Sequence, residues 1–276
     1  MNEKQEAVPV PQTLEGWYTL HDVYTIDWPK WRAVEAGRRE ELAKQVADWL
    51  KDAAAAEGDT AAYSVLTQKG DLMLVHYRRS PDDLNRVELS LRQLGLYEYL
   101  WPAYSYFSVI EVSVNEVTAM AHKKLAEQGL TPGSESFDTA LAAEMEIQQK
   151  RVEPRLFGPI PEHKYICFYP MNKRRGEQVN WYTLDAAERR QMMRGHGRIG
   201  HKYHQQVKQV IGGSIGLDDW EWGVSLHAND MLPFKKLIHE MRFDPASALF
   251  AEFGPFYLGI RRGVEQIADL LAGRLS

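Results

Sequence analysis

The feature that most constrains this chain is an order of elements that runs through it twice. Trp17 to Thr25 is dense in aromatic and β-branched residues, the composition of a strand. A helix is predicted from about Trp28, because Leu42, Val46, Trp49 and Leu50 fall at i, i+4, i+7 and i+8, on one face. Two apolar runs, Ala62 to Thr67 and Leu72 to Tyr77, flank Lys69-Gly70 as the arms of a hairpin would. Ser80 and Pro81 stand in cap and first-turn positions, and Asp82 and Asp83 follow where the helix dipole favours negative charge. Leu84, Val87, Leu91 and Leu94 stripe that helix, and Tyr104 to Val112 reads as a closing strand. The order is β-α-β-β-α-β.

The order then returns. Tyr165 to Met171 is a strand, and Asp185 with Glu188 forms a capping box for a helix predicted to reach about Gln206. Val207 to Ile211 and Trp220 to Ala228 are strands, separated by Gly212, Gly213 and Gly216. Asp230 caps a short helix that carries Phe234, Leu237, Ile238 and Met241, Pro255 to Ile260 is a last strand, and a helix is predicted over Arg262 to Leu275. Two such units predict an α+β protein built from two ferredoxin-like halves, whose antiparallel sheets pack face to face and can leave a cavity between them. The expected divisions are 1–114 for the first half, 115–161 for a helical linker or lid, and 162–276 for the second half. The linker holds a helix-compatible stretch near Thr139 to Gln149 and the turn-rich Thr131-Pro132-Gly133-Ser134.

Composition narrows the function classes. A net charge of -5 argues against a protein devoted to nucleic acid or to an anionic membrane, and the cluster Lys173, Arg174, Arg175 needs a local explanation. One cysteine, Cys167, excludes an internal disulfide. Met1 to Gln12 lacks the apolar core of a signal peptide, and no run of about 18 apolar residues could span a bilayer. The expectation is a soluble protein of the cytoplasm.

Two local sequences can carry chemistry. In Met192 to His204, three glycines interrupt a helical region, each costing roughly 1 kcal/mol against alanine. Gly195 and Gly197 flank His196, so a flat ligand could lie there with the imidazole aimed at its centre, as an axial ligand to haem iron is. Alternatively, His196, His201 and His204 are polar residues of a solvated face, or a zinc site, although they spread too widely around a helix for a compact i, i+4 pair. The second sequence runs from Tyr169 to Arg175 and ends an apolar strand on basic residues. Arginine forks and a lysine point charge suit an aromatic ligand bearing several carboxylates. The plainer reading is a strand tyrosine followed by a solvated turn, with Cys167 a small buried hydrophobe.

Tyr165-Ile166-Cys167-Phe168-Tyr169-Pro170-Met171-Asn172-Lys173-Arg174-Arg175, then Gly195-His196-Gly197-Arg198, then Gln209 and Gly212-Gly213, resemble the coproheme decarboxylase branch of the chlorite-dismutase-like superfamily. The resemblance covers essentially the whole second half and, more loosely, Trp17-Tyr18 and Tyr104 to Ser113 of the first. It implies ferredoxin-like halves packed as a dimeric α/β barrel, a homopentameric ring, and iron coproporphyrin III (coproheme) bound in the C-terminal half. It implies that hydrogen peroxide drives conversion of two propionates to vinyls, giving haem b and carbon dioxide. Carried over, His196 is the proximal iron ligand and Tyr169 is oxidised to a radical that attacks the reactive propionate. Lys173 and Arg155 hold propionate carboxylates, Gln209 sits on the distal side, and Arg242 and Ser247 are further propionate contacts. A transient contact with the ferrochelatase that supplies coproheme is also implied. The segment after Ser113 departs from the family pattern in being long and charged. Alternative activities are those of a chlorite dismutase or haem peroxidase of the same fold, or haem binding without catalysis.

Overall fold

The computed structural model describes residues 13–113 and 115–274. Met1 to Gln12, the stretch without a signal-peptide core, lies outside them, as do Val114, Leu275 and Ser276. Strand β1 (Thr13–Ile26) pairs antiparallel with β3 (Leu72–Arg78) and with β4 (Leu100–Ser113), and β2 (Asp59–Leu66) lies outside β3. In the C-terminal part, β5 (Tyr165–Lys173) pairs with β7 (Trp222–Ala228) and β9 (Tyr257–Arg262), and β6 (Lys208–Gly213) lies outside β7. Pairing of β2 with β9 and of β4 with β6 joins the two groups, so eight of the nine strands close into an antiparallel ring. The short β8 (Ala251–Phe253) extends the pairing beside the end of β5.

Alternation along the strands divides the apolar residues between the inside and the outside of this ring. Trp17, Val23, Met73, Tyr106, Ile166 and Phe168 form an inner core. Tyr24, Ile26, Leu72 and Leu74 face outward and meet α2 (Ala36–Ala55), α3 (Pro81–Arg92) and α9 (Val264–Ala272) through Leu42, Val46, Leu91 and Leu271. On the C-terminal side, Cys167, Tyr169, Val224 and Leu226 face outward towards α6 (Ala186–Lys202) and α7 (Leu232–Met241), with α8 (Pro245–Ala248) beyond. Two helices, α4 (Asn115–Glu127) and α5 (Glu135–Leu156), lie between the two groups of strands in the chain. No helix among the described residues is long and apolar enough to cross a membrane.

Several boundaries differ from the sequence expectation, each for a local reason. The helix expected from Trp28 is broken into α1 (Trp28–Ala33) and α2, because the Glu35 side chain accepts from the Arg38 amide and caps a new start. The helix expected to reach Gln206 stops at Lys202, where the amides of Gln206 and Val207 bond back to the Tyr203 carbonyl and turn the chain into β6. Arg262 belongs to β9, so the last helix starts at Val264. The helical stretch near 139–149 is part of the much longer α5, capped by Ser134 and running through Pro154 into its last turn.

Enclosed histidines make this fold acid-sensitive, two of them through bonded rings. His21 gives Nε2 to a hydrogen bond with Ser225 Oγ at 2.9 Å and stacks on Phe168, and His76 Nδ1 meets Thr60 Oγ at 2.9 Å. Loss of water pushes both pKa values down to about 3. Between about pH 6.5 and 3 the unfolded chain therefore binds protons that the folded chain does not, and stability falls as the pH drops. The thermal midpoint is expected to decline from pH 6.5 to 4, and less steeply in His76→Gln; equal slopes for the two proteins would refute this.

Candidate functional site

Strand alternation places Tyr169 and Lys173, four residues apart on β5, on the outer face that the C-terminal helices cover. Tyr169 is buried, with its ring stacked on Phe256 at 4.5 Å and tilted against Phe253 at 5.7 Å. Burial pushes the phenol upward, so it keeps its proton at every physiological pH. Lys173 is also buried, although Arg174 and Arg175 beside it are exposed. Its Nζ donates to the Ala246 carbonyl at 2.9 Å and lies 4.5 Å from the Trp181 ring centre. Desolvation lowers its pKa to about 8, against the opposing pull of Asp244 and Glu221. The same desolvation raises the Cys167 thiol to about 12, which makes it an inert packing residue.

His196 projects from α6 with its side chain 29% exposed. Its Nδ1 lies 3.0 Å from Asp244 Oδ2, and Asp244 is almost entirely enclosed in the turn before α8. Burial lowers the pKa of His196 more than the Asp244 hydrogen bond and charge raise it, so the ring is neutral at pH 7. A carboxylate only accepts, so Nδ1 carries the proton and Nε2 keeps a free lone pair. A histidine held through one nitrogen by a carboxylate, with the other nitrogen free, is set up to ligate a metal. Ser247 Oγ stands 3.4 Å from both His196 Nδ1 and Asp244 Oδ2.

The remaining predicted residues fall differently. Gln209 on β6 is paired with Leu226, which packs under α6 and α7, and so faces the same helices. Its Nε2 stands 3.2 Å from where a Cβ on Gly200 would be. Gly200 is one turn beyond His196, which brings the Gln209 amide to the helix face carrying the imidazole. Arg242, exposed at the end of α7, lies 3.8 Å over the Phe253 ring and acts electrostatically on Tyr169. Six of the seven residues thus gather around α6, β5 and α8. Arg155 is exposed on the last turn of α5, and none of these contacts reaches it.

His196 and its flanking glycines lie inside continuous α6; a Cβ on Gly197 would meet no protein atom within 4 Å, and one on Gly195 would make an ordinary 3.7 Å contact with Asp244. Close approach is found only at Gly200 among the three. His201 and His204 stack on each other at 4.4 Å beyond this, one at the end of α6 and the other in the turn that follows. A cleft of about 450 Å³ lies elsewhere, between α2 and α3, and its buried Arg78 is bound to backbone carbonyls and the Thr60 hydroxyl.

A family model described as chlorite dismutase matches residues 39–262. The chain belongs to the chlorite dismutase family. Among solved structures, a haem-binding protein from Thermus thermophilus is 36% identical over 97% of this chain and 99% of its own, with a TM-score of 0.81. A mutant chlorite dismutase from Candidatus Nitrospira defluvii matches 94% of this chain and 96% of its own at 18% identity and a TM-score of 0.71, a likeness of fold.

For a member of this family, the residues described fit an iron porphyrin. His196 offers a neutral Nε2, the rings of Tyr169, Phe253 and Phe256 offer an apolar surface, and Lys173 and Arg242 offer cations for carboxylates. Sequence reading missed Asp244, whose place before Pro245 suggests a helix cap, and Glu221, which accepts from the Lys173 amide and sits 3.5 Å from Arg175. Nothing in local pattern points from His196 to a partner 48 residues away. Replacing Asp244 with Asn removes the charge that favours imidazolium and supplies an amide donor to Nδ1, moving the proton to Nε2. In an NMR titration the His196 pKa is expected below 6.5 in the native protein and lower still in Asp244→Asn; an upward shift would refute the assignment.

Proposed function

We propose that this chain is a hydrogen peroxide-dependent decarboxylase of iron coproporphyrin III, producing haem b, with coproheme both substrate and redox group. The observation that carries this reading is the placement of Tyr169 and Lys173 on the strand face covered by α6, where Asp244 leaves Nε2 of His196 free. A bound iron porphyrin would supply the capacity to be oxidised by peroxide, which no side chain here offers. His196 would hold the iron. Tyr169 would present a protonated, water-shielded phenol to the reactive propionate, and Lys173, poised near pH 8, would pair with its carboxylate and position it. Arg242 and Ser247 would hold further carboxylates, Gln209 would supply a neutral amide, and Arg155 would need the end of α5 to approach. The finer architecture belongs to the same proposal. Strand orders β4-β1-β3-β2 and β9-β5-β7-β6 support ferredoxin-like halves closed as a dimeric α/β barrel, with divisions at 1–114, 115–161 and 162–276. So do a homopentameric ring, a cytoplasmic setting, and coproheme delivered by a ferrochelatase belong to it.

Phenylalanine at 169 keeps the ring and its stacking on Phe256 while removing the phenolic hydrogen. Tyr169→Phe is expected to bind iron coproporphyrin normally and to give neither the three-propionate intermediate nor haem b by mass spectrometry after peroxide. Haem b at a near-native rate would remove the tyrosine from the chemistry. If the native protein binds the porphyrin but yields no product, the second reading, haem binding without catalysis, is favoured; the 36% identical haem-binding relative supports that alternative. Because the Lys173 ammonium is lost as pH rises through about 8, the decarboxylation rate should fall above that pH, and Lys173→Arg should move the fall upward. A profile flat to about pH 10, the ordinary lysine range, would contradict this.

Gln209 bears on the third activity. A neutral amide in place of a fixed cation beside the iron forfeits about 1.5–3 kcal/mol of charge-assisted binding to an anion, roughly tenfold to more than a hundredfold in retention. Lys202, a candidate substitute, is engaged with Glu240 at 2.9 Å. Haem-loaded protein in an oxygen electrode is expected to release little oxygen from chlorite; sustained release without bleaching would favour chlorite dismutation.

A further inference from the structure

The inside of the strand ring carries polar groups that its apolar packing does not account for. His227 on β7 is 0% exposed, and neither ring nitrogen has a hydrogen-bond partner in the protein. His21 on β1 gives Nε2 to Ser225, but its Nδ1 has none. The hydroxyl of Tyr77 on β3, 1% exposed, is likewise unpartnered. Strand pairing puts all three inside. His227 is opposite Ile166, Ser225 is opposite Phe168, Tyr77 belongs to the same inner core as Ile166 and Phe168, and His21 stacks on Phe168. His21 acts electrostatically on His227, and Arg261 of β9 acts on both His227 and Tyr77, which brings these groups to one region of the interior.

Buried polar groups are nearly always bonded, because each one otherwise forfeits its hydration for nothing. A metal ion does not suit this set: among the described residues no three His, Cys, Asp or Glu side chains are arranged to hold one. We propose that the interior of the ring is a binding site for ordered water, a small fixed cluster that bridges His227, His21 and Tyr77. Burial keeps both imidazoles neutral, so each has one donor and one acceptor, and a water molecule can satisfy roughly two to four such groups. The cluster would tie β1 and β3 of the first group of strands to β7 of the second.

Crystals that diffract well enough to place water should show peaks about 2.7–3.2 Å from a His227 ring nitrogen and from the Tyr77 hydroxyl. Oxygen-17 magnetic relaxation dispersion of the full chain should count at least one fewer long-lived internal water in His227→Phe and in Tyr77→Phe than in the native protein. Tyr77→Phe removes a single oxygen, so it keeps the test decisive should His227→Phe fail to fold. A dry interior in the crystal, an anomalous peak that marks a metal, or unchanged dispersion in the folded variants would overturn the proposal.

Discussion

Pairing of β2 with β9 and of β4 with β6 turns two open sheets into a ring, and the demands on the sequence follow from that closure. A closed ring has no free edge along its length, so its backbone groups are satisfied by neighbouring strands. In return, each strand has an inner and an outer face to pack, and helices must cover the outside. All seven residues of β3 are buried for this reason, which is why Leu72 to Tyr77 reads as a continuous apolar run and not as an alternation. The inner core and the two outer cores are separate clusters drawn from opposite sides of the same strands.

Closure also decides where chemistry can sit. On β5, Ile166 and Phe168 belong to the inner core of the ring, while Cys167 and Tyr169 point out towards helices. A flat ligand is therefore better accommodated between sheet and helix than within the ring. Helix α6 supplies His196, and the turn between α7 and α8 supplies Asp244 to orient it. The candidate site thus lies in the layer outside the C-terminal strands, with Trp181 and Glu221 steadying Lys173 from further along the chain.

The sequence shows best what is local. Caps at Ser80 and Asp185 and the helical stripes are written within a few residues, and they survive in the structure as α3 and α6. Breaks that depend on competing caps, such as the one at Glu35, are lost in a sequence scan because the apolar spacing continues across them. At the site, the strand motif and His196 are conspicuous, while the features that tune them come from distant pairing. A lysine in a Lys-Arg-Arg run reads as solvated, yet the return of the chain through Ala246 buries Lys173 and leaves its neighbours in water. Nor does any pattern show that Arg155, at the end of a separate helix, stands apart from the rest.

Helix α9 follows the second group of strands but packs on the first. Its Ile267 and Leu271 complete the core around Leu42, Val46 and Trp31, and the Trp31 indole donates to the Leu271 carbonyl, 240 residues away in sequence. A nascent chain leaving the ribosome has made every strand of its first half long before this seal exists. That half must then wait with apolar surface uncovered until translation reaches α9.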